Sequence, residues 1–69
     1  MDELRGVGAA IRAARKEAGL TQKQLAELVE LGERTVREIE RGAEGPSIGA
    51  VLRTANAVGL SVTTSTSRP

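Results

Sequence analysis

The twenty residues Gln22-Lys23-Gln24-Leu25-Ala26-Glu27-Leu28-Val29-Glu30-Leu31-Gly32-Glu33-Arg34-Thr35-Val36-Arg37-Glu38-Ile39-Glu40-Arg41 carry the strongest pattern in the chain. Leu25, Leu28 and Val29 recur at helical spacing and predict a short helix over Gln22 to Val29 with these three side chains turned inward. Glu30-Leu31-Gly32 breaks the pattern, and Gly32 can cap a further helix from Glu33 to Arg41 whose Val36 and Ile39 face a core. Two short helices that cross at about 90–120° around a tight turn need a small residue where the backbones approach and apolar residues at the contacts. Ala26 meets the first need, and Leu25, Val29, Leu31, Val36 and Ile39 meet the second.

Working upstream, Leu4, Val7, Ile11, Ala14 and Ala18 alternate at spacings of three and four, which predicts a helix running to about Glu17 and stopped by Gly19. Gly6 and Gly8 weaken its start by about 1 kcal/mol each relative to Ala. Thr21 is an N-cap candidate for the next helix, its hydroxyl accepting from the backbone of Lys23 or Gln24. Working downstream, Gly42 ends the helix that Glu33 begins, Ala43-Glu44-Gly45-Pro46 is a turn, and Ser47 is a natural N-cap. Ile48, Val51, Leu52, Ala55 and Val58 then predict one more amphipathic helix, closed by Gly59.

The period changes after Gly59. Leu60, Val62, Thr64 and Thr66 alternate with Ser61, Thr63 and Ser65, a β-strand pattern. A lone strand cannot satisfy its own backbone groups. This segment therefore either frays as a tail or pairs with its copy across a two-fold axis, and the second option makes Leu60, Val62, Thr64 and Thr66 the dimerisation residues. The expected organisation is a helical domain over 1–59 and a strand or tail over 60–69 that serves dimerisation.

Composition narrows the chemistry. The 69 residues include no Cys, His, Phe, Trp or Tyr. That excludes zinc fingers, thiolate nucleophiles, Ser-His pairs and disulfides, and neither a metal nor a cofactor is expected. Lacking aromatic rings, the chain has no platform on which single-stranded bases stack. Ten Lys and Arg against nine Asp and Glu leave a net charge of +1, so charge alone names no partner. No stretch reaches the roughly 18 apolar residues of a membrane span. The start Met1-Asp2-Glu3 is acidic where a signal peptide is basic, so a soluble cytoplasmic protein is expected.

Gly19-Leu20-Thr21-Gln22, Leu25-Ala26, Thr35-Val36 and Ile39-Glu40-Arg41-Gly42 resemble the Xre family of phage-repressor-type helix-turn-helix domains over about residues 4 to 60. The resemblance implies an all-α, lambda-repressor-like DNA-binding fold of four to five short helices, here followed by the strand. It implies that Gln22 anchors a phosphate and that the helix beginning at Glu33 enters the major groove, with Glu33, Arg34, Arg37 and Glu38 facing bases. The residue pattern agrees, because these are the polar positions of a helix whose Val36 and Ile39 are taken by the core. Arginine can hold guanine O6 and N7 in bidentate fashion, while Glu33 or Glu38 can accept from cytosine N4. Lys23, Gly32, Thr35 and Arg41 complete the expected DNA-contact set, Lys23, Thr35 and Arg41 as backbone contacts. Lys16 and Arg53 are expected to be simply solvated. Family members pair an Arg of the first helix with a Glu near the end of the third, and Arg15 and Glu40 occupy those places as a structural ion pair.

The chain departs from the family at two positions. Glu30 stands where glycine is common, which implies either a differently built turn or about 1 kcal/mol of strain. Gly32 replaces a hydroxyl cap, a loss of a few tenths of a kcal/mol.

The expected function is sequence-specific binding of a palindromic double-stranded operator by a homodimeric repressor. A short domain of this family followed by a strand is similar to HipB-like antitoxins, and so are Pro46-Ser47-Ile48-Gly49-Ala50-Val51-Leu52-Arg53 and Val58-Gly59-Leu60. That similarity implies autoregulation of a toxin-antitoxin operon and a kinase-like toxin as partner. The competing expectation is an adaptor that neutralises a protein partner without reading DNA. No motif of an enzyme is present: Ser-x-x-Lys, a histidine base and a phosphate loop are all missing.

Overall fold

A computed structural model describes residues 2–60. It is all-helical: α1 (Asp2–Glu17), α2 (Gln22–Val29), α3 (Glu33–Arg41) and α4 (Ile48–Ala57). α3 packs on α1 and α2, and α4 closes over α2. The core is wholly aliphatic. Ile11 comes from α1, Leu25, Ala26 and Val29 from α2, Val36 and Ile39 from α3, and Ala50, Val51 and Ala55 from α4. Val7, Leu31, Val58 and Leu60 pack against its margins. The one fully buried polar side chain of α4, Thr54, satisfies itself by donating from Oγ1 to the Ala50 carbonyl at 2.8 Å.

The helix boundaries follow from local chemistry. Thr21 Oγ1 accepts from the Gln24 N–H at 3.0 Å while Gln24 Oε1 accepts from the Thr21 N–H at 2.9 Å, a reciprocal capping box. Ser47 caps α4 by accepting from the Ala50 N–H at 3.1 Å. The turn between α2 and α3 is built with Glu30 in the left-handed region, φ 59° and ψ 41°, so of the two options for this turn the strained one is realised. Arg53 is not simply solvated: its Nη1 donates to the Val29 carbonyl at 3.0 Å, satisfying the exposed end of α2 from α4.

Gly8, which lowers the intrinsic helicity of α1, is what lets α1 lie on α3. A Cβ at this position would stand 2.7 Å from the Glu40 carbonyl oxygen, and the Ile39 carbonyl oxygen is also in its way. Local propensity is overridden by close backbone packing.

Three expectations need correction. Leu28 and Ile48 are exposed, at 63% and 67%, because each falls on a side of its helix that no other described element covers. Ala18 lies beyond the end of α1 and is exposed as well. The C-terminal strand does not begin at Leu60. The Leu60 N–H donates to the Ala55 carbonyl at 3.0 Å and its side chain packs on the core, so Leu60 closes α4 by a hydrogen-bonded turn. No strand occurs among the described residues. Val62, Thr64 and Thr66 lie outside the described residues.

Candidate nucleic-acid interface

α3 divides its side chains sharply. Val36, Ile39 and Glu40 are buried, while Glu33, Arg34, Arg37 and Arg41 are exposed and Thr35 and Glu38 are half-buried. Two of these three exposed arginines are held by carboxylates of the same helix. Arg34 Nε lies 3.4 Å from Glu38 Oε2 and Arg37 Nη2 lies 3.5 Å from Glu33 Oε2, both at i,i+4 spacing. Pairs this exposed contribute only about 0.3–0.5 kcal/mol, so they orient the side chains without committing them. The Arg34 side chain is 86% exposed and free to leave its partner. Gly32 ends the turn as the N-cap of α3 with no side-chain hydrogen bond, leaving that helix start open to an outside acceptor.

The first turn of α2 lies beside this helix. In the capping box the N–H groups of Thr21 and Gln24 have partners within the chain. Those of Gln22 and Lys23 are the two remaining orphan donors of the helix start. Such donors, with the positive end of the helix dipole, favour an anion. Lys23 is exposed there and Gln22 is half-buried.

Behind Gln22 lies the buried ion pair. Arg15 Nε and Nη2 donate to Glu40 Oε2 and Oε1 at 2.6 and 3.2 Å, with the two side chains 9% and 2% exposed. Arg15 Nη1 donates to the Leu20 carbonyl at 2.7 Å, which ties in the loop that leads to α2. Gln22 Nε2 donates to Glu40 Oε1 at 3.1 Å. A carboxylate only accepts, so it must be the nitrogen of the amide that faces Glu40. The second amide hydrogen and Oε1 of Gln22 are left for other partners. The sequence marks Arg15 and Glu40 as a pair, but the third member, Gln22, depends on how α2 sits over α3 and has no signature in spacing.

Two short helices joined by a tight turn, one presenting arginines outward and the other presenting free N–H donors beside them, define a helix-turn-helix domain of the DNA-binding class. The chain belongs to the Xre-like helix-turn-helix family: a family model described as a helix-turn-helix domain matches residues 7–65. Its relatives include the immunity repressor protein of Bacillus phage phi105, 43% identical over 56 residues that make up 81% of this chain and 39% of that protein. An uncharacterized HTH-type transcriptional regulator of Methanothermobacter thermautotrophicus is 45% identical over 49 residues, 71% of each chain. The chain thus spans about two fifths of the phage repressor it matches. The family is a DNA-binding regulator domain. No described helix is long and apolar enough to cross a membrane.

Proposed function

We propose that this protein is a sequence-specific repressor that binds a palindromic operator as a homodimer. The observation that carries this reading is the outward set Arg34, Arg37, Glu33 and Glu38 on a helix whose opposite side is buried, next to a Gln22 amide fixed by Glu40. Arg34 and Arg37 read guanine edges, and Glu33 and Glu38 accept from cytosine amino groups and repel misplaced phosphate. Gln22, Lys23, Thr35 and Arg41 hold the backbone, with Gly32 letting the start of α3 approach the duplex closely. One domain covers only a half-site, so two copies place their recognition helices about 34–36 Å apart. The repressor name of the phage relative supports this reading.

Within it, the chain serves as the antitoxin of an operon that it represses, restraining a kinase-like toxin. The support is the similarity of residues 46–53 and 58–60 to HipB-like antitoxins. Val62, Thr64 and Thr66 supply the dimer contact in this reading. An adaptor role has one observation in its favour: exposed Leu28 borders a shallow apolar groove of about 360 Å³ shared with Leu20, Gln24 and Glu27, a surface suited to a protein.

The deciding experiment selects duplexes from a random pool and follows affinity against salt. A repressor enriches a palindrome and shows a log–log slope of about −0.9 per neutralised phosphate. An adaptor enriches nothing and shows a flat response.

A further inference from the structure

α1 meets α3 along one edge. Gly8 abuts the Glu40 carbonyl, Arg15 reaches the Glu40 carboxylate, and the Arg5 Cα lies 2.9 Å from where a Cβ on Gly42 would stand. At about 100° per residue, Arg5, Arg12 and Lys16 fall in one narrow sector of α1, immediately outside the edge marked by Gly8 and Arg15. All three are exposed, and Arg12 and Lys16 have no carboxylate within ion-pair distance among the residues whose side chains are described. The opposite flank, with Gly6, Ala10, Ala13 and Glu17, has no cation. On α3 the same angular count passes from Glu40 to Glu33, then Arg37 and Arg41, so the outward side next to Glu40 carries two cations and one carboxylate, with Glu33 3.5 Å from Arg37. A net charge of +1 therefore conceals a basic band along one flank of α1.

A second observation gives the band a task. The helix-turn-helix itself has few cations left for phosphates, since Arg34 and Arg37 are assigned to base edges in the reading above and Arg53 bonds the Val29 carbonyl. The loop Ala43-Glu44-Gly45-Pro46-Ser47 after α3 has none. Lys23 and Arg41 remain, and two neutralised phosphates per protomer make a weak electrostatic grip. Arg5, Arg12 and Lys16 more than double that supply.

We propose that the flank of α1 formed by Arg5, Arg12 and Lys16 is a second phosphate-binding track, which holds the DNA backbone alongside the groove that α3 enters. The proposal rests on the DNA-binding reading above and extends the contact surface beyond the helix-turn-helix. Its chemistry is charge on charge, so it adds affinity for any duplex and no preference among bases.

The test compares wild-type protein with Arg12→Gln/Lys16→Gln on the duplex that wild type selects from a random pool. Both side chains are exposed, and a thermal melt verifies that the fold is kept. Loss of two contacts per protomer makes the log–log salt slope shallower by about 1.8 for each protomer bound, while base preference stays as in wild type. Ethylation of the phosphates flanking the site, which interferes with wild type, no longer interferes with the variant. An unchanged slope and interference pattern in the folded variant overturns the track alone, and so does an altered base preference, which would put these residues in the groove. A wild-type protein that binds no duplex overturns the DNA-binding reading and the track with it.

Discussion

Gln22 and Glu40 lie 18 residues apart and are joined by a hydrogen bond of 3.1 Å from the amide nitrogen to the carboxylate. The same oxygen accepts from Arg15 Nη2 at 3.2 Å. One buried carboxylate thus holds α1, the start of α2 and the end of α3 together. The residue proposed to meet a phosphate is positioned by the group that secures the fold.

Glu40→Ala leaves Arg15 buried without its partner. Breaking a buried pair costs about 3–5 kcal/mol, as much as the whole stability expected of a chain this size, so the variant is expected to be largely unfolded at 25 °C by circular dichroism. Arg15→Met/Glu40→Leu removes both charges and is expected to fold, while leaving Gln22 without its anchor. Weakened binding to all duplexes alike in this folded double variant is the outcome that separates positioning from stability.

Gly6 and Gly8 are both in α1 and answer oppositely to alanine. Nothing lies within 4 Å of a Cβ at Gly6, so Gly6→Ala gains up to about 1 kcal/mol of helix propensity. At Gly8 the added carbon meets two backbone carbonyls of α3, and overpacking of about 1–3 kcal/mol or more outweighs the same gain. Thermal melts are expected to move upward for the first and downward for the second.

Glu30 has the left-handed conformation that glycine adopts freely. Its strain of about 1–2 kcal/mol exceeds the backbone entropy that glycine loses, about 0.5–1 kcal/mol. Glu30→Gly is therefore expected to stabilise by about 0.5–1 kcal/mol in denaturant titrations. A variant less stable than wild type would show that the Glu30 side chain makes up for its own backbone.

Arg34→Ala is expected to relax preference at particular operator bases at a cost of about 1–3 kcal/mol, whereas Gln22→Ala weakens every sequence alike. Base-preference profiles from random-pool selection check both. Identical profiles for wild type and Arg34→Ala would remove Arg34 from the groove.

Much of this architecture is legible in local pattern. The apolar spacing of Leu25, Val29, Val36 and Ile39 places α2 and α3, Thr21 and Ser47 mark two helix starts, and the exposure of Arg34 and Arg37 follows from the burial of Val36 and Ile39. These features depend on a helix having one period and one buried side, which a single sequence states directly. Leu28 is a case where the same period misleads. Spacing shows that Leu28 is near the apolar stripe, but whether a neighbour covers that side is a property of the fold, and none among the described residues does.

The sequence by itself determined the helices over 22–29 and 33–41 and their neighbours in order, the place of the turn between α2 and α3, and the side of α3 that faces outward, while the left-handed backbone at Glu30 came from the structure. Tertiary structure alone decided what crosses between helices: Gly8 as the point where α1 rests on α3, Arg53 as the cap of α2, Gln22 as the third member of the Arg15–Glu40 pair, and Leu60 as the close of α4 rather than the start of a strand. The physical reason is one of range. Helix period and capping are settled within about four residues of chain, whereas a backbone carbonyl or a buried carboxylate takes its partner from whichever element packing brings within hydrogen-bond distance.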